Sequence, residues 1–180
     1  MSGHHLEVAY LGAAVLCALI GAVSDYRSRR IPNWITGPGF LLGLVLHLRL
    51  GGLRDAGTAL LGGLAAGLVF LVFYLAGGMG GGDVKLAAAV CCLAGLSQVG
   101  GILISTALTG GIFAVVLAVI SRRLKQTVSN VGALLVHHGT AGLQPHPELN
   151  VTNPTTLRLP YGIAIAAGTT MTLFGVILGQ

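Results

Sequence analysis

Of the five acidic residues in this 180-residue chain, Asp25 and Asp83 stand where two carboxylates could share chemistry. Asp25 closes an apolar run in the segment Gly21-Ala22-Val23-Ser24-Asp25-Tyr26-Arg27. Asp83 ends the glycine-rich run Gly77-Gly78-Met79-Gly80-Gly81-Gly82 and opens another apolar run. Two close carboxylates in a poorly solvated place do not both ionise easily, so one of them tends to hold a proton. The ionised partner can take a proton from a water attacking a carbonyl. The protonated partner can polarise that carbonyl or protonate the leaving nitrogen. Amide hydrolysis by an activated water is therefore the reaction this pair would suit.

Each aspartate also has a purely structural explanation. If the first helix runs on to Ile31, Asp25 pairs with Arg29 one turn later and Pro32 ends the helix. Without that pairing, a carboxylate at a helix C-terminus faces the negative end of the macrodipole. Asp83 could be an N-cap, accepting bonds from free backbone N–H groups. A cap does not need five glycines in the preceding stretch. They cost roughly 1 kcal/mol each relative to Ala in a helix. What they permit is positive φ, or close approach to another backbone. A phosphate-cradling loop would need a following Lys-Ser/Thr, which is missing here, and Asp would repel the phosphate.

The elements that position these residues must be membrane helices. Charged residues make up 8% of the chain, against roughly 25% in ordinary soluble domains. Hydrophobic residues make up 54%, and 29 positions are Gly. So little charge cannot clothe a soluble globule, and disordered chains are polar. Apolar runs at about 6–24, 35–50, 57–77, 84–97, 100–121 and 160–178 predict an all-α polytopic membrane protein of about six transmembrane helices. The second run is interrupted by Pro38 and the fourth is short. Residues 1–180 read as one membrane-embedded domain, with a loop at 122–159 that contains a surface helix near 124–136. No Lys or Arg precedes the first run, so it reads as a retained helix, not a cleaved leader.

Charge sets the expected orientation. Arg27, Arg29, Arg30, Lys85, Arg122, Arg123, Lys125 and Arg158 fall on one side, against Arg49 and Arg54 on the other. The positive-inside rule then makes the first side, with the 122–159 loop, cytoplasmic and puts both termini on the opposite side. The net charge of +5 is explained by this topology and implies no nucleic-acid partner. Asp25 and Asp83 meet the cytoplasmic face from different helices. Glu7 and Asp55 fall on the outer side, and Glu148 in the loop.

The motifs around the two aspartates resemble those of the aspartic prepilin peptidases, membrane proteases of the GxGD class. The matching segments are Asp25 followed by Arg29-Arg30-Ile31-Pro32-Asn33, then Gly80-Gly81-Gly82-Asp83-Val84-Lys85-Leu86. Leu159-Pro160-Tyr161-Gly162, before the last run, resembles the family's Pro-aromatic-Gly stretch. The resemblance implies a bacterial inner-membrane endopeptidase that removes the basic leader from type IV pilin-like precursors on the cytoplasmic side. It implies that Asp25 and Asp83 are the catalytic pair, with Gly80, Gly82, Lys85, Pro32, Asn33, Pro160 and Gly162 as supporting positions. Larger members carry a cysteine-rich insert and methylate the new N-terminus. Here the connection 26–34 is short and lacks Cys, which points to a small branch with peptidase activity alone.

Other residues have plainer readings. Lys85 suits equally a lysine reaching the interface, and Tyr161 an interfacial aromatic. Gly63 and Gly67 form a GxxxG pattern, read as packing inside one chain. Cys17, Cys91 and Cys92 lie in apolar runs and do not suggest a disulfide framework or a zinc site. His137, His138 and His146 are adjacent or distant, not at helical ligand spacing, and His4 and His5 are read with the same caution. No metal or cofactor is expected. Three alternatives remain beside the prepilin peptidase. They are a presenilin-like protease cutting within the membrane, an ion- or proton-coupled transporter using the same aspartates, and a non-catalytic assembly subunit.

Overall fold

The structure, a computed structural model, describes residues 3–147, 149–150 and 160–179. Glu148, Arg158 and Leu159, used in the readings above, lie outside the described residues. The described residues form helices without strands: α1 (Gly3–Ser28), α2 (Asn33–Leu75), α3 (Gly81–Ala94), a 3-10 turn (Leu96–Gln98), α4 (Val99–Ile120), α5 (Leu124–Ala141) and α6 (Tyr161–Leu178). Four apolar helical stretches are long enough to cross a membrane: His4–Ser28, Asn33–Leu75, Leu96–Ile120 and Tyr161–Leu178. This is an all-α membrane protein.

The expected run 35–50 and all but the last two residues of 57–77 fall within one 43-residue helix, α2. At 1.5 Å per residue it would be about 64 Å long if straight, roughly twice a hydrocarbon core. It is not straight. Gly52 has φ 80 and ψ −172, a conformation essentially reserved for glycine, and the arms 33–51 and 53–75 meet there. A straight helix would hold residues 40 and 63 about 35 Å apart. Instead, a Cβ on Gly63 would come 2.7 Å from the Phe40 ring, so the arms fold back on one another. The helix also passes through Pro38 without breaking. The missing N–H there costs a bond to the Trp34 carbonyl alone, near the start of the helix.

α3 has 14 residues, about 21 Å, too short to cross a bilayer unaided. It is sheathed by both arms of α2 and by α1. Leu86, Val90, Cys91, Cys92 and Leu93 are fully buried. Glycines on α2 make this fit possible: Gly43 and Gly63 lie against Cys92, and Gly67 against Ala88. Small residues at such contacts let backbones approach closely where no hydrophobic effect drives helices together. The GxxxG pair thus packs within the chain. Large apolar side chains such as Leu16, Leu41, Leu68, Ile112 and Phe174 point outward, as lipid-facing residues do.

α6 packs on both α1 and α4. It runs antiparallel to α4, with Gly101 beside Thr172, Thr106 beside Gly168 and Gly110 beside Ala164. The end of α1, the start and end of α2, and the starts of α3 and α6 gather at one end of the bundle. The Gly52 turn, the start of α1 and the end of α3 gather at the other. Arg27 and Lys85 therefore lie at the first end, and Arg49 and Arg54 at the second.

Candidate active site

The connection from α1 to α2 is held by local hydrogen bonds. α1 stops at Ser28, three residues short of Ile31, and Arg29 takes φ 53. The Ser24 and Ser28 hydroxyls both donate to the Arg30 carbonyl, at 3.0 and 3.1 Å. Pro32 then sits at the N-cap of α2 with extended backbone, and Asn33 is its first helical residue. The two serine contacts were not anticipated. Their signal is a pair of hydroxyls one turn apart at the end of a helix, before a proline-initiated helix.

Asp25 is 8% exposed on the last turns of α1. Its Oδ2 accepts the N–H of Gly162 at 3.1 Å across 137 residues of sequence. Pro160 caps α6, so Gly162 offers one of that helix's free first-turn N–H groups. The positive end of α6 thereby offsets the unfavourable end of α1 at the same carboxylate. A Cβ on Gly162 would lie 3.0 Å from the Asp25 Cβ and 3.1 Å from the Ala22 Cα, so glycine sets this approach. The Arg29 charge also acts on Asp25.

Asp83 is likewise 8% exposed. It is not the N-cap of α3; that is Gly80, and Asp83 stands in the first turn. Its Oδ2 reaches back to accept the Gly80 N–H at 2.9 Å. Two of the five glycines meet a need that only glycine fills. Gly77 alone among them has positive φ, at 77. Gly82 allows close approach, since a Cβ there would come 3.0 to 3.3 Å from Ile31 and its main chain. The Ile31-Pro32-Asn33 and Gly80-Gly81-Gly82-Asp83 segments are thus packed directly on one another.

The two aspartates stand at the same end of the bundle, within electrostatic reach of one another. The Tyr161 side chain, half-buried at the start of α6, is also within the electrostatic reach of Asp83. Lys85 Nζ donates to Asn33 Oδ1 at 2.9 Å on the exposed rim, tying α3 to the start of α2. All the motif positions named from the sequence therefore converge: Pro32 and Asn33 with Gly80, Gly82 and Lys85, and Pro160 with Gly162.

A second polar cluster lies at the opposite end and was not anticipated. His47, 2% exposed, places Nδ1 at 2.8 Å from Asp55 Oδ2 and Nε2 at 3.1 Å from the Leu93 carbonyl. Tyr10 stacks on the imidazole with centroids 3.8 Å apart and donates to the same Asp55 oxygen at 3.2 Å. These residues border a cavity of about 790 Å³ beside the Gly52 turn. A His and an Asp flanking a Gly-Gly turn are its sequence signal. On α5 and the segment after it, the His137 ring lies 5.3 Å from His138 and 4.9 Å from His146, closer than their spacing suggested. Among the described residues, no group of three or more His, Cys, Asp or Glu is arranged to hold a metal ion.

Buried carboxylates from two helices, at one end of a bundle of apolar helices, define a membrane protein with the makings of an acid–base site. The chain belongs to the type IV leader peptidase family, whose family model matches residues 12–115. The match takes in both aspartates and all of α2 and α3, and stops before α5 and α6. Neither the curated proteins nor the solved structures contain a match to the chain. Membership in this family makes a protease of the leader-peptidase type the supported class, and an ion-coupled transporter is not favoured.

Proposed function

We propose that the protein is an aspartic endopeptidase that removes the basic leader from type IV pilin-like precursors, with Asp25 and Asp83 as its catalytic pair. The observation that carries this reading is that two buried carboxylates, on α1 and α3, stand at one end of the bundle within the family-matched region. One carboxyl of the pair holds a proton and polarises the scissile carbonyl, and the other, ionised, takes the proton of the attacking water. On collapse of the tetrahedral intermediate, the leaving nitrogen takes a proton from the pair. The reaction needs no cofactor.

The same reading holds residues 1–180 as one membrane-embedded domain in a bacterial inner membrane. The arms of α2 and the short α3 add crossings to α1, α4 and α6, making six, with both termini outside. Residues 122–159 then face the cytoplasm, where leader junctions emerge. The short 26–34 connection supports a peptidase without methyltransferase activity.

The test is processing of a purified precursor by the purified protein in detergent. Asp25→Asn and Asp83→Asn should each lower the rate by at least about 10³-fold while leaving membrane insertion and thermal unfolding cooperative. Cleavage at the normal rate by either variant would overturn the catalytic pair. A failure of the wild-type protein to cut any leader-bearing precursor would overturn the substrate.

A further inference from the structure

α4 ends in a geometry that sets the course of the chain beyond it. The Arg122 N–H donates to the Val119 carbonyl at 3.0 Å and the Arg123 N–H to the Ala118 carbonyl at 2.9 Å. Arg122 between them has φ 55. This paired arrangement is a Schellman motif, which closes a helix and fixes the direction of the next segment. The Thr127 N–H and hydroxyl both bond back to the Arg123 carbonyl, at 2.8 and 3.0 Å, and α5 begins at Leu124. Three residues thus separate a membrane-length apolar helix from an amphipathic one.

The faces of α5 are distinct. Leu124, Val128, Val131 and Leu135 recur at helical spacing and form one stripe, exposed by 46, 65, 51 and 71%. Gln126, Ser129 and Ala133 lie on the opposite side. No residue of α5 is buried. Arg122, Arg123 and Lys125 crowd its first turn, and there is no acidic residue from 84 to 147. A continuous apolar stripe with cations at one end suits neither water nor a basic peptide.

We propose that α5 lies flat in the membrane interface, its Leu124–Val128–Val131–Leu135 stripe in the acyl boundary and Arg122, Arg123 and Lys125 on the phosphates of anionic phospholipid. The occupant is the bilayer because α5 starts three residues beyond a membrane-length span. The end of α4 that it follows is itself lipid-facing, with Val115, Val119 and Ile120 exposed. The cations supply charge complementarity to an anionic leaflet. This inference does not rest on the peptidase reading, and its test does not use activity.

The full-length protein is placed in nanodiscs with or without phosphatidylglycerol, carrying single spin labels at Val128→Cys, Val131→Cys, Leu135→Cys, Gln126→Cys, Ser129→Cys or Ala133→Cys. The three native thiols are buried, so labelling is directed to the introduced sites. Stripe labels should be open to oxygen and shielded from water-soluble nickel, at a depth of ~5–10 Å, and opposite-face labels the reverse. Accessibility should oscillate with a period of ~3.6 residues. Arg122→Gln with Arg123→Gln and Lys125→Gln should move the stripe labels toward water in anionic discs and not in neutral ones. Nickel access equal on both faces would overturn the proposal. So would stripe labels shielded from oxygen and nickel alike, which would mean a protein partner or a second copy. Neutralised variants indistinguishable from wild type in anionic discs would overturn the choice of an anionic surface.

Discussion

At the Gly52 end of the bundle, Asp55 meets a side chain of complementary chemistry. Its Oδ2 faces the His47 imidazole and takes the Tyr10 hydroxyl. At the other end, Asp25 and Asp83 each accept a main-chain N–H, from Gly162 and Gly80, and act on one another through their charges. Both ends carry buried polar groups in an apolar protein. The first cluster closes on itself: both nitrogens of His47 point to oxygens of the protein, which ties the α2 turn to the end of α3 and leaves no ring nitrogen for a substrate. In the second, a main-chain N–H that neither gives up nor receives a proton orients each carboxylate, and the Arg29 charge acts on Asp25 from one turn away. A carboxylate shared between side chains makes a strut, and one oriented by the main chain is left for the proposed chemistry.

The contrast can be broken most severely at the second end, where Asp25→Asn or Asp83→Asn should remove processing without unfolding the protein. His47→Ala should do the opposite of the catalytic variants. It removes a buried ring and orphans Tyr10 and Asp55, lowering stability by about 2–3 kcal/mol while processing per folded molecule stays at the wild-type rate. A fall in that rate would show that the two ends are coupled. The smallest effect is expected for Gly162→Ala, which pushes on Asp25 without touching its chemistry. About a tenfold loss of processing is expected, with stability changed by about 1 kcal/mol. Unaltered kinetics would mean that the α6 N-terminus does not position Asp25.

The helical class and the aspartate pair were legible for one reason. Charge is so scarce in this chain that each carboxylate in an apolar setting stands out, and hydropathy alone gives the all-helical membrane class. The turn at Gly52 was less legible. Arg49, Arg54 and Asp55 mimic a polar loop between two spans, whereas a single glycine makes the bend and the arms are otherwise continuous. The Gly162 contact was not legible at all, because it joins groups 137 residues apart and involves a backbone N–H. The same holds for the Ser24 and Ser28 hydroxyls on the Arg30 carbonyl. Periodicity reports which face of a helix is apolar, and it is silent on where a helix terminus aims its free N–H groups. The His47 cluster was missed because a lone histidine near the end of an apolar run looks like an interfacial residue until the hairpin brings Asp55 and Tyr10 to it.

The three cysteines give the bundle a built-in clock. Cys17 of α1 lies against Gly39 of α2, and Cys91 and Cys92 of α3 are enclosed between α1 and the α2 arms. None is paired in a disulfide, and all are buried. A thiol-specific alkylating reagent should therefore find nothing to react with until these helices part. Each modified sulfur would timestamp the opening of the scaffold that holds the two aspartates, in the native chain and with no label added.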